Sequence, residues 1–112
     1  MARKTVKGVD SILSEIVRRI RSVCDPDRII LFGSRARGDD RSSSDIDVLI
    51  VAPSTLPRGR RTVPVYTTLA GIGVAKDVFW WTPQEIQEWR GVRSHFINRV
   101  LSDGRVLYEK PA

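Results

Sequence analysis

The sequence predicts a mixed α/β fold, also described as α+β, in which a small mixed β-sheet is flanked by helices. Helical and strand-like hydrophobic patterns alternate along the chain, and no internal repeat or low-complexity stretch interrupts them. The length of 112 residues suffices for one compact domain and is too short for two that each bury a core. We therefore expect a single domain over residues 1–112.

The first predicted elements are a helix and a strand near the N-terminus. Apolar residues recur at three- and four-residue steps over residues 9–23, with serine and arginines between them, which is typical of an amphipathic helix. The turn residues 25–27 end it. The apolar run Arg28–Phe32 then predicts a strand covered on both faces, and a polar connection follows Gly33.

A second strand is predicted over residues 45–51. Side chains alternate across a strand, so Asp45 and Asp47 share one face with the leucine and valine that follow them. The two isoleucines and the valine between them share the other face. The strand thus has a packed side and an end that carries carboxylates.

The middle of the chain predicts a loop, a helix and a third strand. Residues 53–64 hold three prolines and a glycine, which favours a loop that leads into a helix over residues 65–70. The stretch 74–81 is β-branched and aromatic apart from Lys76 and Asp77. It predicts a strand with Asp77 near its beginning.

Two helices and a short extended segment complete the chain. Residues 82–85 place a threonine at an N-cap, a proline at the first helical position and a glutamate at the third. Gly91 interrupts this helix, and a second apolar stripe occupies residues 96–101. Residues 106–108 predict either a final strand or an extended tail.

Composition indicates a protein that does not enter a membrane. The chain is 41% hydrophobic, and no apolar run approaches the roughly 18 to 20 residues that cross a bilayer. The lone Cys24 cannot form an internal disulfide, which fits a reducing cytoplasm, and we expect it to pack as a small apolar side chain. The formal net charge of +6 favours phosphate-bearing ligands and acidic partners.

The carboxylates Asp45 and Asp47 are candidates for metal binding. Two residues apart on a strand, they project from one face with roots roughly 7 Å apart, close enough to share metal ions about 3.5 to 4 Å apart. Nucleotidyl transfer needs metal ions held by carboxylates to neutralise the triphosphate and to align the attacking oxygen. Mere solubilising polarity is the weaker alternative.

A candidate phosphate site directly follows the first strand. Gly33 lets backbone approach a phosphate without a Cβ in the way, and the Ser34 hydroxyl and following amides can donate hydrogen bonds. Arg35 and Arg37 add positive charge there. They either contact phosphate or balance the two aspartates at 39 and 40, and the sequence does not decide between these roles.

These motifs together resemble the DNA polymerase β-like nucleotidyltransferase superfamily. Residues 31–38, with the sequence LFGSRARG, followed by SDIDVL at 44–49, carry the resemblance. Lys76–Phe79 matches the place of the third carboxylate of the family, and residues 103–109 resemble its usual ending. Within the superfamily, the chain is most similar to the minimal nucleotidyltransferases of bacteria and archaea.

The resemblance implies an enzyme that uses two Mg²⁺ ions, takes ATP as the donor and releases pyrophosphate. By position, Gly33 and Ser34 would hold the triphosphate, and Asp45 and Asp47 would bind metal. Asp77 would complete the set as a metal ligand and as a base for the acceptor hydroxyl.

The resemblance also implies a protein partner. Many minimal nucleotidyltransferases are antitoxins paired with a HEPN-type toxin, and such antitoxins can transfer AMP to a tyrosine of the toxin, so we expect a hetero-oligomer. Two alternatives remain open. The chain could neutralise its partner by binding alone, or it could transfer a nucleotide to RNA or to a small hydroxylated acceptor.

Other polar and aromatic residues receive less specific predictions. Arg58, Arg60 and Arg61 favour a solvated surface over an RNA-binding patch. His95 has no His or Cys at ligand spacing, so packing or surface exposure is favoured over metal binding. The tryptophans at 80, 81 and 89 favour a place in the core, whereas exposure of either of the first two would favour partner docking.

Overall fold

A computed structural model describes residues 9–33, 45–92 and 95–111. These residues form five helices and four strands. In chain order, the elements are α1 (Val9–Val23), β1 (Arg28–Phe32), β2 (Ile46–Val51), α2 (Arg58–Arg61), α3 (Val63–Thr68), β3 (Lys76–Trp81), α4 (Pro83–Trp89), α5 (Phe96–Asp103) and β4 (Arg105–Glu109).

The four strands form one mixed sheet in the order β3-β2-β1-β4. Strand β1 is antiparallel to both of its neighbours, whereas β2 and β3 are parallel. Parallel strands need a crossover connection, which α2 and α3 provide here. The predicted fold class, a small mixed sheet with flanking helices, is confirmed.

Apolar side chains cover both faces of the sheet. One face packs against α1 and α3, with Ile46, Val48 and Ile50 of β2 among its buried residues. The other face packs against α4 and α5, and Leu49 and Val51 of β2 lie there. Both faces of β2 are therefore packed, and its carboxylates occupy only the end of the second face.

Most predicted elements are confirmed, and the segment before the third strand is corrected. Helix α1 and strand β1 have the predicted bounds, and β2 and β3 each begin one or two residues later than expected. The predicted loop at 53–64 contains α2, and the helix expected over 65–70 is α3, Val63–Thr68. Pro64 lies in the first turn of α3, where a missing N–H costs nothing, so it opens this helix.

The C-terminal half contains the predicted cap and a true final strand. Thr82 Oγ1 accepts from the Glu85 amide at 3.1 Å, and Glu85 Oε1 accepts from the Thr82 amide at 2.9 Å. This is the predicted capping box of α4. Residues 105–109 pair with β1, so the open choice between a strand and a tail resolves to a strand.

Arg61 corrects the expectation of a solvated basic loop. Its side chain is buried and forms a bidentate ion pair with Glu85, in which Nη1 donates to Oε1 at 2.7 Å and Nη2 donates to Oε2 at 3.0 Å. It also donates to the carbonyl oxygens of Leu56 and Trp80. Arg61 thus fastens α2 to the start of α4. The pattern of prolines and arginines carried no sign of this, because the partner carboxylate lies 24 residues away.

The tryptophans and Cys24 lie mainly where packing predicts. Trp80 and Trp81 are buried, which confirms their place in the core, while Trp89 is partly exposed. Cys24 is partly buried against the α1 face, and burial, followed by the charge of Asp25, raises the pKa of its thiol to about 11. Within the described ranges, the helices are all too short or too polar to cross a membrane.

Candidate functional site

Two aspartates meet at one end of the sheet. Asp47 on β2 and Asp77 on β3 are register partners in the parallel pair, so their side chains leave the same face. Asp45 immediately precedes β2 and is exposed. The face is the one that packs against α4 and α5, but at this end the apolar side chains give way to carboxylates.

Gly33 brings the end of β1 against Asp47. Its φ is +81°, a conformation that L side chains rarely adopt. A Cβ at this position would overlap Asp47 Oδ2 and would lie 3.3 Å from Asp47 Cγ. Phe32 pairs with Asp47 across the strands. The next residue, Gly33, therefore lies directly beside the Asp47 carboxylate. Only glycine fits here without a shift of the Asp47 side chain.

Asp47 experiences the negative charge of the two neighbouring carboxylates. Burial raises the pKa of Asp47, and the negative charges of Asp77 and Asp45 raise it further. The ionised form of Asp47 is therefore disfavoured in the folded chain. A cation at this end of the sheet would reverse that effect, since opposite charge favours the ionised carboxylate.

The side chains do not form a ready-made metal cage in the described part of the chain. No group of three or more His, Cys, Asp or Glu side chains there is arranged to hold a metal ion. The sheet register brings Asp47 and Asp77 together, and their shared negative charge opposes closer approach.

Three predicted site residues cannot be placed. Ser34, Arg35 and Arg37 fall within residues 34–44, outside the described residues. Their contacts with a triphosphate stay a prediction. Of the predicted phosphate-binding residues, the described chain contains Gly33 alone.

A cluster of phenylalanine rings borders the carboxylates and was missing from the sequence prediction. Phe32, Phe79 and Phe96 lie with ring centroids 5.5, 6.4 and 5.8 Å apart. Phe79 is two residues beyond Asp77 on the same strand and therefore points to the same face. The alternation of β3 could have placed this ring beside Asp77, but α5 contributes Phe96 through packing that the local pattern does not reveal.

His95 has a structural role, as its lack of companion ligands suggested. Its Nδ1 accepts from the Ile97 amide at 3.2 Å, which caps α5. The imidazole also stacks on Trp89, with ring centroids 4.6 Å apart. Packing of His95 is confirmed, while its capping contact was not foreseen because histidine is uncommon at an N-cap.

Comparisons with known proteins agree with the fold and the motifs. A family model described as a nucleotidyltransferase domain matches residues 11–108. A protein from Sulfolobus solfataricus assigned as a nucleotidyltransferase has a similar structure, with a TM-score of 0.62 and 23% identity over 98% of this chain and 94% of that chain. A chain of a toxin–antitoxin complex with AMP-PNP is similarly close, with a TM-score of 0.63 and 20% identity over 88% of this chain and 73% of that chain.

No match is found among curated proteins. At such low identities the two structural similarities establish the fold alone, and the family match extends over most of the length of the chain. Together with the glycine and the paired carboxylates at one end of the sheet, these findings lead to one conclusion: the chain belongs to the nucleotidyltransferase domain family.

Proposed function

We propose that this chain transfers AMP from ATP to a hydroxyl group of a partner protein, with Mg²⁺ as the cofactor and Asp45, Asp47 and Asp77 as the metal-binding residues. The observation that carries the proposal is the pairing of Asp47 with Asp77 in register, directly against the positive-φ Gly33. Carboxylates and a close backbone approach are what a metal-bound triphosphate requires.

The donor set fits Mg²⁺. Hard cations of this kind prefer oxygen ligands and are commonly bound through one or two carboxylates together with substrate phosphates. The absence of a ready-made protein cage among the described residues agrees with a metal that arrives with its nucleotide. When bound, the ions neutralise triphosphate charge and polarise the attacked phosphate.

The residues of the chain have separate tasks in this proposal. Gly33 leaves room for the Asp47 carboxylate beside the end of β1, and Ser34, Arg35 and Arg37 donate to the triphosphate. The acceptor oxygen attacks the α-phosphorus, the bond to the bridging oxygen of the β-phosphate breaks, and pyrophosphate leaves. In this proposal Asp77 accepts the proton of the acceptor hydroxyl at its carboxylate. Its exposure keeps this carboxylate accessible to an acceptor.

The partner we propose is a HEPN-type toxin, which makes this chain a cytoplasmic antitoxin in a hetero-oligomer. The similar fold of a chain from a toxin–antitoxin complex with AMP-PNP supports a protein partner and an adenine nucleotide. Arg61 supports the choice of a protein over RNA as the acceptor, because its charge is engaged by Glu85 and leaves the basic loop with fewer free cations.

The test is transfer of labelled AMP from ATP to a toxin encoded beside this chain. We expect Mg²⁺-dependent labelling by the wild type and a loss of at least about a hundredfold for Asp47→Asn, since metal-based charge stabilisation supplies several kcal/mol. Asp25→Asn is the matched control, because it makes the same chemical change at an exposed aspartate paired with Lys110. No labelling by the wild type, or equal labelling by Asp47→Asn, would contradict the proposal.

A binding-only antitoxin is the second candidate, supported by the similar fold of a chain from a toxin–antitoxin complex. It predicts that a chain carrying Asp45→Asn and Asp47→Asn still protects cells from the toxin. Co-expression and growth distinguish the two, because an enzymatic antitoxin loses protection with the same double change.

A further inference from the structure

Three rings at the carboxylate end of the sheet have no part in the proposed transfer. Phe32, Phe79 and Phe96, here called the aromatic platform, approach one another with interplanar angles of 57°, 48° and 53°. The rings come from β1, β3 and α5, so three separate elements converge on this one spot.

The platform is continuous with the candidate site. Phe32 is the register partner of Asp47 and directly precedes Gly33. Phe79 follows Asp77 by two residues on the same face of β3. A phenyl ring thus directly precedes the proposed phosphate position and lies opposite Asp47, and a second ring is the next side chain on the Asp77 face of β3.

Core packing accounts for Phe32, which packs against the core on the α4 and α5 side of the sheet, but it leaves the other two rings of the platform partly open. Phe79 and Phe96 are 37% and 38% exposed, whereas Trp81, the next side chain along this face of β3, is 5% exposed. Burial of apolar surface is favourable, so a folded chain gains stability by covering such rings. Adjacent aromatic rings left partly open beside a polar site are typical of a surface that binds a flat, partly apolar group.

We infer that the aromatic platform binds the base of the nucleoside triphosphate by stacking, an inference that rests on the proposed function. The ribose and base are attached to the α-phosphate, which must lie at the carboxylates for transfer. A base joined there falls within reach of rings that adjoin Asp47 and Asp77. Every base has a π-face, and stacking on aromatic side chains tolerates any of the bases.

The rings also limit what recognition the platform can provide. Phenyl groups offer no hydrogen-bond donor or acceptor to the edge of a base. The platform therefore adds affinity for a nucleoside over bare phosphate without distinguishing adenine from guanine. ATP and GTP should bind with affinities within about threefold of each other if stacking alone reads the base.

The test compares MgATP with magnesium tripolyphosphate, which has the phosphate chain and no base. The variant Phe79→Leu/Phe96→Leu keeps apolar bulk and removes two ring faces. We expect it to bind MgATP about tenfold more weakly than the wild type, with unchanged tripolyphosphate affinity, because the base loses two aromatic faces on which to stack. Phe79→Trp should retain MgATP affinity, and Leu56→Ala, at an apolar residue 46% exposed outside the platform, is the control.

Other outcomes overturn the inference in distinguishable ways. Equal weakening of MgATP and tripolyphosphate would show that the rings only support the carboxylate site. Unchanged MgATP affinity with reduced labelling of the partner would show that the platform contacts the partner protein. If the wild type bound neither MgATP nor tripolyphosphate, the proposed function itself would be contradicted. Asp47→Asn tests that function separately, because it should weaken the binding of both ligands.

Discussion

At the scale of single residues, Asp47 combines a cost in stability with a proposed role in binding. Burial and the charges of Asp77 and Asp45 raise its pKa, so the folded chain holds its proton more tightly than the unfolded chain does. The stabilising effect of this proton is present below the ordinary pKa of an aspartate and is lost as the pH rises through the raised value. At neutral pH the ionised carboxylate therefore costs stability.

Asp47→Asn should accordingly stabilise the metal-free chain at neutral pH while abolishing transfer. Removal of the charge relieves the repulsion, and we expect the melting temperature to rise by roughly 2 to 5 °C. Thermal melts at pH 7 with a chelator check this, with Asp25→Asn as the control. A fall in melting temperature would mean that Asp47 makes stabilising contacts that outweigh its repulsion.

The contribution of Glu85 to stability should depend on pH in the opposite direction. Hydrogen bonds from Arg61 lower the pKa of Glu85 to about 2 against the effect of burial. Its contribution is present above the ordinary value of 4.5 and is lost as the pH falls toward 2. Glu85→Gln should lower the free energy of unfolding by about 1 to 3 kcal/mol at pH 7. In urea unfolding, the free energy of unfolding of the variant should change less between pH 7 and pH 3 than that of the wild type.

Glu15 supplies the comparison for this prediction. Hydrogen bonds from Arg18 and then Arg19 also lower its pKa to about 2. Its partners are more exposed than Arg61, because the side chains of Arg18 and Arg19 are 69% and 30% exposed and that of Arg61 is 8% exposed. Solvent screens exposed ion pairs, so Glu15→Gln should change stability less than Glu85→Gln does. Equal losses for the two variants would show that burial of Arg61 does not strengthen its pair with Glu85.

At the scale of elements, Gly104 fixes the junction of α5 with β4. A Cβ there would overlap the carbonyl oxygen of Val100 and would lie 3.2 Å from that of Leu31. Both are backbone oxygens, which cannot move away by a side-chain rotation. The glycine therefore permits the final strand to run directly from the helix onto β1.

Gly104→Ala should destabilise the fold by about 1 to 3 kcal/mol through this overlap. Gly59 in α2 is the matched control, because a Cβ there meets nothing within 4 Å. Gly59→Ala should be neutral or should stabilise by up to about 1 kcal/mol, since alanine favours helix. Chemical denaturation measures both, and equal effects would contradict the assigned role of Gly104.

Elements with local signals were predictable, and those that depend on distant partners were not. The three-four spacing of α1, the apolar run of β1 and the capping residues of α4 each lie within one short window. Helix α2 has no such pattern, because the Arg61–Glu85 pair that anchors it is a tertiary contact. Strand β4 was ambiguous for the same reason, as its pairing with β1 decides between strand and tail.

The features of the candidate site also divide into those with a local sequence signal and those that depend on distant partners. The alternation of β2 placed Asp45 and Asp47 on one face, and the structure pairs the second of them with Asp77. The contact of Gly33 with Asp47 requires the antiparallel register of β1 and β2, which no local pattern specifies. The aromatic platform was missed because Phe96 reaches it from another element.

At the scale of the whole molecule, a basic chain presents a cluster of acidic groups at one end of its sheet. The formal net charge of +6 would attract a triphosphate at long range, whereas Asp47 and Asp77 would repel it at close range. A divalent cation that binds both the carboxylates and the phosphates resolves this conflict. The central claim is therefore that nucleotide and metal bind together at this end.

Paramagnetic broadening of the amide resonances by Mn²⁺ with a non-hydrolysable ATP analogue tests that claim most directly. We expect selective loss of the signals of Gly33, Asp47 and Asp77, with Asp25 and Glu109 at the other end of β1 unaffected, and weaker broadening by Mn²⁺ without nucleotide. Equal broadening at both ends of the sheet, or none at Gly33 and Asp47, would contradict the claim.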